Sequence, residues 1–347
     1  MKKTMKAARL HQIRQELSID HVQVPKVNAN EVLVDIKASG ICHSDLNYRN
    51  GVAPVGKLPI ILGHEVAGVI AEVGNQVEDL EEGERVCIHY VISCGKCVYC
   101  SAGKDNLCEE YRMIGKDVDG GFAEYIKVPA RNVLKLPKNI PFEQAATLGC
   151  AVSTPFHALR RGRVTPGETV VIYGVGGLGA HAIQLASKIF GAGKVIAVDI
   201  LEEKLKLAKQ LGADEVVNAK EEDPAEKIKE ITNGRLADVV LDFVGLRETI
   251  EKVVECVGKG GRAVVVGISQ ESVRLSPYRT LIGKEMGLIG VNDHLKSEMT
   301  QLIKLVDSGR IDLSGSVTHK VSLEDVNQGM EILEKNVGNP VRVVIVQ

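Results

Sequence analysis

Apolar and polar positions change rhythm near residue 150, and the change divides the chain in two. Before it, short runs over residues 6–11, 32–38, 66–73, 85–88, 123–128 and 132–136 alternate between apolar and polar and are bounded by Gly, Asn and Pro. Successive side chains of a strand point to opposite faces, so this period of two predicts half-buried strands. Many short strands between turn residues predict an antiparallel, barrel-like β domain. After about residue 152, apolar runs alternate with helical patterns. Strands are expected over Thr169–Tyr173, Lys194–Asp199, Glu215–Asn218 and residues 237–243 and 261–267, and helices over residues 177–190, Glu202–Leu211 and residues 224–233 and 246–258. The strand sequences VVIYG, VIAVD, ADVVLDFVG and AVVVG are apolar on both faces, as strands are when helices cover a parallel sheet from both sides. Strand–helix alternation of this kind predicts a doubly wound sheet. Two amphipathic helices, over residues 296–308 and 323–335, precede an apolar closing strand at residues 341–346. Pairing of that strand back onto the first domain is expected. It would give a discontinuous domain of residues 1–152 and 291–347 around an inserted domain of residues 153–290.

Composition sharpens this picture mainly by exclusion. The 347 residues suffice for about two domains. Forty-three Lys and Arg against 45 Asp and Glu leave a net charge of −2, without the basic footprint of a nucleic-acid binder. Seven Tyr, five Phe and no Trp provide few stacking surfaces for single-stranded nucleic acid. No apolar run reaches the roughly 18 residues of a membrane span, and the basic opening Met1–Lys6 has no long apolar stretch behind it. The expectation is a soluble, cytoplasmic protein with neither nucleic-acid nor membrane partners. Eight cysteines without an export signal then point to metal or catalysis rather than to disulfides.

Four of the cysteines, Cys94, Cys97, Cys100 and Cys108, follow a C-x2-C-x2-C-x7-C spacing. Four thiolates so close together can close a tetrahedron around zinc and leave no open position, which makes the site structural. The compact iron–sulfur motif has its fourth Cys after three residues, followed by Pro; here the gap is seven and Glu109 follows. Gly174-Val175-Gly176-Gly177-Leu178-Gly179 reads G-x-G-x-x-G between an apolar strand and a helix, the context that a dinucleotide site requires. Gly174 serves the tight turn, Gly176 the approach of the pyrophosphate, and Gly179 the packing of helix on strand. Asp199, 20 residues after Gly179, stands where an acid binds the ribose hydroxyls, and Ile200 and Leu201 after it offer no Arg to a 2′-phosphate. NAD is therefore favoured over NADP. Cys42, His64 and Cys150 have no diagnostic spacing; taken alone, each cysteine reads as a small buried hydrophobe and the histidine as a satisfied polar residue.

The chain resembles the zinc-dependent alcohol dehydrogenases of the medium-chain dehydrogenase/reductase superfamily. The resemblance rests on GICHSDL (residues 40–46), GHEVAGVI (63–70), the pair VG (73–74), the four-cysteine lobe, GGFAEY (120–125), GC (149–150), GVGGLG (174–179), the strand ending at Asp199, and VRVVI (341–345). It implies a GroES-like, β-barrel-type catalytic domain, with its structural zinc lobe at about residues 90–112, joined to an NAD-binding Rossmann domain. It further implies that Cys42, His64 and Cys150 hold a catalytic zinc whose fourth position takes water or substrate oxygen. Glu65 would be a transient ligand, and Asp45 would orient His64. Ser44 would pass on the proton of an alcohol bound as alkoxide, and His43 would contact the pyrophosphate. Lys204, Val266 and Arg342 would belong with Gly177 and Leu178 to the cofactor site. Tyr90 would line the alcohol cleft and residues 50–58 its rim. One position departs from the pattern: Asn47 stands where many of these enzymes carry a relay histidine.

The activity implied is hydride transfer between a primary or secondary alcohol and NAD, giving aldehyde or ketone, with two zinc ions per chain and a tetrameric assembly. Within the superfamily the runner-up is a polyol, sugar or threonine dehydrogenase. Those commonly carry a carboxylate as third ligand, so Cys150 favours the alcohol branch. A catalytically silent NAD-binding redox sensor is the alternative of another class, and the complete ligand set opposes it.

Overall fold

The computed structural model describes residues 3–347; Met1 and Lys2, the start of the basic opening, lie outside the described residues. The chain forms two compact units, one running to Ser153 and resuming from His294 to Gln347, the other Thr154–Asp293.

The first unit is built on the long strand Glu31–Ile41. Glu65–Val73 pairs along most of its length, Tyr125–Pro129 along its first half, and the closing strand Val343–Val346 along its last residues, all antiparallel. Arg85–Ile88 and Val133–Lys135 extend the sheet on one side and His319–Val321 on the other. A second sheet holds Ser18–Gln23, Thr4–Leu10 and Ile60–Ile61. Between them lies a core of β-branched and aliphatic side chains, among them Val32, Val34, Ile36, Ile60 and Ile88, with Phe122 fully buried. Apart from the parallel edge pair of His319–Val321 with Val343–Val346, this antiparallel β architecture is the one expected from the alternating pattern. The pairing Val343↔Ile41 ties the end of the chain to its long central strand.

Boundaries move where turns intervene. The strand expected over residues 132–136 begins at Val133, because Ala130–Asn132 form a 3-10 turn. That expected over 123–128 runs Tyr125–Pro129. The helix expected from residue 323 starts at Val326, after a turn in which the Asp325 N–H reaches Ser322 O. Helices His43–Asn50, Phe142–Thr147 and Ser153–Arg161 were not expected; two are too short for a clear period, and Ser153–Arg161 spans the change of rhythm.

The second unit has the six-stranded parallel order Glu215–Asn218, Lys194–Asp199, Thr169–Tyr173, Ala237–Asp242, Val257–Val265, Gly287–Gly290. Thr169–Tyr173 lies between the second and fourth strands in sequence, so the order reverses there, at the mouth of the glycine motif. The fifth strand starts at Val257, four residues earlier than expected, and the preceding helix stops at Cys256. Val257 and Cys256 are fully buried, and the register against Ala237–Asp242 shifts across residues 258–261, where Lys259 and Gly260 are exposed. Among the described residues no helix is long and apolar enough to cross a membrane.

Candidate metal and dinucleotide sites

Strand register brings the isolated cysteines together. Gly40 opposes Glu65 in the central pair, and Cys42 follows at the strand's end as N-cap of the helix His43–Asn50. At the third position of that helix, Asp45 accepts from the Cys42 N–H at 2.8 Å with Oδ2. Its Oδ1 accepts from the Gly63 N–H at 3.2 Å and lies 3.4 Å from His64 Nδ1. One buried carboxylate thus ties Cys42 to His64. Cys150 arrives from a third segment, the turn after Phe142–Thr147, where Gly149 permits close packing: a Cβ there would sit 3.0 Å from the Glu65 Cα. The Ala151 N–H donates to Glu65 Oε1 at 3.1 Å.

The outcome is one buried cluster in which ligand atoms of Cys42, His64, Glu65 and Cys150 all lie within 4.8 Å of one another. Burial pushes the Glu65 carboxyl up to about 7 against the pull of Arg342. A hydrogen bond between the two thiols separates them, holding Cys42 well below the ordinary thiol range and Cys150 well above it. Burial opposes a charge on His64, but Asp45 and Cys42 outweigh it and hold the imidazole above its usual value. His64 Nδ1 has its 3.4 Å contact with Asp45, whereas His64 Nε2 and Glu65 Oε2 are buried without a hydrogen-bond partner, a costly arrangement unless another ligand satisfies them. Two cysteine sulfurs, an imidazole and a nearby carboxylate form a donor set suited to zinc. Gly40 completes the cradle, since a Cβ on it would lie 2.0 Å from Glu65 Oε2.

Arg342, expected at the cofactor site, is buried beside the metal-ligand cluster. It is 1% exposed, with Nη2 3.1 Å from Glu65 Oε1 and Nη1 donating to the Ile41 carbonyl at 3.2 Å. The register explains this, because Val343 opposes Ile41 and so sets Arg342 beside the end of the central strand. It acts as counter-charge to Glu65. Sequence reading missed both this pair and Gly40; the only signal would have been the strand register. Ser44 lies beside the cluster, its Oγ 3.7 Å from Cys42 Sγ, and His43 next to it is exposed. Tyr90 is buried with its ring edge-on to His64, centroids 5.1 Å apart. Asn50 ends the helix, and residues 51–58 follow as bends and loop.

The four cysteines of the lobe likewise gather, with Sγ atoms within 4.8 Å of one another. Backbone N–H groups aim at the sulfurs: Cys97 and Lys96 donate to Cys94 at 3.3 and 3.5 Å, and Cys94 and Glu110 to Cys108 at 3.1 and 3.3 Å. Such bonds favour thiolate. N–H groups of Cys100 and Glu109 bring Cys97 down to about 6, whereas burial pushes Cys108 up to about 11. No disulfide joins any of the eight cysteines, and the lobe fits a closed four-thiolate zinc site.

In the second unit Gly174 adopts φ +86°, and a Cβ on Gly179 would fall 1.8 Å from the Gly174 carbonyl oxygen. Those two glycines are required by the loop itself. Gly176 is different, for nothing lies within 4 Å of where its Cβ would be. The loop therefore keeps open space at the helix end that presents free N–H groups, where a pyrophosphate fits. Gly177 and Leu178 open the helix Gly177–Lys188. Asp199 braces the loop by accepting from the Val175 N–H at 2.7 Å with Oδ2, while Oδ1 accepts from the Ile200 and Leu201 N–H groups at 2.7 and 3.0 Å. Lys204 is buried on the next helix, and that burial lowers its pKa against the attraction of Asp199. The Val266 N–H donates to the Asp242 carbonyl at 3.0 Å.

Two family models match the chain: the alcohol dehydrogenase GroES-like domain over residues 28–138 and the zinc-binding dehydrogenase over residues 177–308. An alcohol dehydrogenase of Geobacillus stearothermophilus is 41% identical, covering 93% of this chain and 94% of its own. An NAD-dependent alcohol dehydrogenase of Sulfurisphaera tokodaii is 36% identical over 98% of this chain and all of its own. A sorbitol dehydrogenase of Bacillus subtilis is also 36% identical, over 94% of this chain and 93% of its own. Among solved structures, the alcohol dehydrogenase of Aeropyrum pernix superposes with a TM-score of 0.90 at 38% identity, covering 99% of this chain and 100% of that one.

Proposed function

Because the chain belongs to the zinc-dependent alcohol dehydrogenases of the medium-chain superfamily, we propose that its buried Cys42–His64–Glu65–Cys150 cluster is the centre at which a primary or secondary alcohol is oxidised to aldehyde or ketone, with NAD as partner. The observation that carries this reading is the convergence of three distant segments that bring the ligand atoms of Cys42, His64, Glu65 and Cys150 within 4.8 Å of one another in a buried cluster. Cys42, His64 and Cys150 would hold the catalytic zinc, with Glu65 beside them, and Cys94, Cys97, Cys100 and Cys108 the structural one. A catalytic zinc supplies Lewis-acid polarisation of the alcohol oxygen, and bound NAD supplies the hydride acceptor.

The chain's own residues do the rest. Asp45 fixes His64 and the Cys42 backbone together, the role of an outer carboxylate at a metal site. Arg342 keeps Glu65 charged enough to approach a cation. Ser44 Oγ, alongside Cys42, is the hydroxyl that takes the alcohol's proton. Asn47 cannot titrate near neutrality, so that proton leaves through water, the cofactor ribose or exposed His43. Buried Tyr90 walls the alcohol cleft, and residues 50–58 rim it. The first unit acts as catalytic domain and the second as NAD-binding domain, with Gly174, Gly176, Gly177, Leu178 and Gly179 cradling the pyrophosphate. Asp199 and Lys204 serve the adenosine ribose, and Val266 belongs to the cofactor site. Arg342 belongs to the cofactor site while its guanidinium also faces Glu65. Assembly as a cytoplasmic homotetramer goes with this reading, and sedimentation of the zinc-replete protein tests the tetramer.

The deciding experiment measures NAD-dependent rates of metal-replete protein over primary, secondary, cyclic and polyhydric alcohols and threonine, with NADP as control. Turnover of simple alcohols, abolished by Cys42→Ala in a folded variant, is the expected result. Turnover confined to polyols or threonine would replace the substrate class, in line with the sorbitol dehydrogenase relative. Undiminished turnover in Cys42→Ala would overturn the assigned centre.

A further inference from the structure

The core of the first unit holds two imidazoles that the proposed chemistry leaves unused. His89 and His294 are 1% and 0% exposed, and both pack against Tyr90, itself 2% exposed. The rings form a continuous file. Tyr90 meets His64 edge-on, with centroids 5.1 Å apart at 81°, and meets His294 at 4.8 Å and 88°. His294 meets His89 at 4.9 Å and 71°, and the His89 and Tyr90 rings stack at 6.2 Å. The file ends on a charge: His89 Nδ1 lies 3.6 Å from Asp105 Oδ2. Asp105 opens the 3-10 turn Asp105–Leu107, between Cys100 and Cys108 of the four-cysteine lobe.

The backbone beneath the file is pinned. Asn132 Nδ2 donates to the carbonyls of His89 and Val91, at 2.6 and 2.8 Å, and the His89 N–H donates to Asn132 O at 2.8 Å. His89 Nε2 is 3.3 Å from the His294 carbonyl oxygen. His294 is anchored just before the helix Lys296–Asp307, whose Glu298 accepts from the Leu295 N–H at 3.0 Å, while the Lys296 amine donates to the Arg131 carbonyl. With the backbone of residues 89–91 held in place, the tilt of the Tyr90 ring depends on what stands beside it, and the rings beside it include His64, His294 and His89. A T-shaped pair prefers a particular tilt, and dense cores leave side chains few other places to go.

We propose that Asp105, His89 and His294 are positioning residues that fix the Tyr90 ring against His64, so that the four-cysteine lobe sets the shape of the alcohol cleft. This rests on the reading that Tyr90 walls that cleft. On this view the lobe does more than stabilise the fold. Asp105 orients the His89 ring, His89 and His294 hold each other, and together they determine how far Tyr90 leans into the space beside the metal ligands. A shift of one aromatic wall matters most for branched substrates, since a pocket distinguishes alcohols by single carbon groups, worth roughly tenfold or more in kcat/KM.

The test uses zinc-replete, full-length protein with Asp105→Ala and Asp105→Asn, the latter keeping a carbonyl oxygen that can accept from His89. Two measurements are made. The first is the Cε1–H spectrum of protein labelled in its nine histidines, which needs no activity. Asp105→Ala is expected to shift the His89, His294 and His64 signals, and Asp105→Asn to restore them. A shift confined to His89 overturns the proposal. The second is KM for ethanol against KM for a branched secondary alcohol: Asp105→Ala raises the second about tenfold more than the first, with rescue by Asp105→Asn. An unchanged ratio overturns the proposal. Should Asp105→Ala lose the lobe's zinc, His294→Leu carries both measurements with the lobe intact. Should the wild type oxidise no alcohol, the functional reading falls, while the histidine spectrum still decides whether the file transmits.

Discussion

Gly63 is the position at which backbone geometry and the metal cluster are most directly joined. It has φ +90°, and a Cβ there would come within 2.4 and 2.6 Å of Phe122 Cδ1 and Cε1. Its N–H donates to Asp45, and His64 follows it. Gly63→Ala thus carries two costs. A left-handed backbone is unfavourable for an L side chain by about 1–2 kcal/mol, and the fully buried Phe122 ring must move by about 1 Å, an overpacking cost of about 1–3 kcal/mol. Reduced freedom of the unfolded chain returns about 0.4–1 kcal/mol. The net expectation is a loss of about 3 kcal/mol, or roughly 6–12 °C in Tm for a unit of this size. Gly83 supplies the control: it has φ +87°, but nothing lies within 4 Å of its Cβ position. Gly83→Ala should show the backbone cost alone, about 1 kcal/mol and roughly 2–4 °C. The assay is thermal melting of both variants, with zinc counted per chain after graded chelation. Gly63→Ala should surrender one zinc at lower chelator concentration than wild type, since a displaced Gly63 loosens the Asp45–His64 contact, while the lobe keeps the other. Equal melting losses in the two variants would refute the Phe122 term, and unchanged zinc retention would refute the link from Gly63 to the cluster.

The glycine loop offers a matching contrast: Gly176→Ala should leave melting within about 0.5 kcal/mol of wild type and weaken NAD binding at least about tenfold, whereas Gly179→Ala should damage the fold itself; undiminished NAD affinity in the first would reject the pyrophosphate assignment. In metal-stripped protein Cys97, held down to about 6, should be the first of the lobe's thiols alkylated at pH 7, and Cys108, pushed up to about 11, should lag far behind. The thiolate is the nucleophile, so Cys97 labelling falls as pH drops through about 6 and is suppressed by zinc; peptide mapping by mass spectrometry checks both order and direction. Asn47→His places a group of pKa about 6.5 at the missing relay position. If proton release limits turnover, rate should rise above that pH, where the ring is neutral and can accept; an unchanged pH–rate profile would show that no relay gap exists there.

How much of the fold could be read from the sequence follows from where the information lies. The parallel strands were legible because burial on both faces demands unbroken apolar runs such as VVIYG and VIAVD, and nothing else in the chain competes with that signal. Thr169–Tyr173, Lys194–Asp199 and Glu202–Leu211 fall on the residues expected. The helix His43–Asn50 was invisible for the opposite reason: its sequence HSDLNYRN is polar, and its one buried carboxylate, Asp45, faces inward to serve the site rather than the core. The start of the fifth parallel strand at Val257 was hidden because the helical pattern runs on to residue 258 and the glycines after it interrupt the apolar run, whereas the structure carries them within a strand whose register shifts.

The candidate sites divide along the same line, between chemistry written in local spacing and chemistry created by register. The cysteine lobe is local: four thiols within fifteen residues, with N–H groups of the same loop aimed at them, so spacing alone sufficed. The glycine loop is local too, although only the structure separates the two glycines that the turn requires from Gly176, which protein packing does not require. The Cys42–His64–Cys150 cluster is not local. No spacing announces it, and resemblance to a family named residues that periodicity could not. Still less visible were Gly40, Arg342 and the Asp105–His89–His294 file, because each acquires its meaning from a pairing distant in sequence: Gly40 with Glu65, Val343 with Ile41, His89 with a carbonyl at residue 294. A one-residue slip of the closing strand would turn Arg342 to the other face and leave Glu65 buried without its counter-charge, which costs about 3–5 kcal/mol for a broken buried pair. The register that closes the β domain and the electrostatics of the metal cluster are therefore one constraint. Substitutions that weaken the pairing Val343↔Ile41 should for that reason raise the Glu65 pKa above its present value before they unfold the sheet.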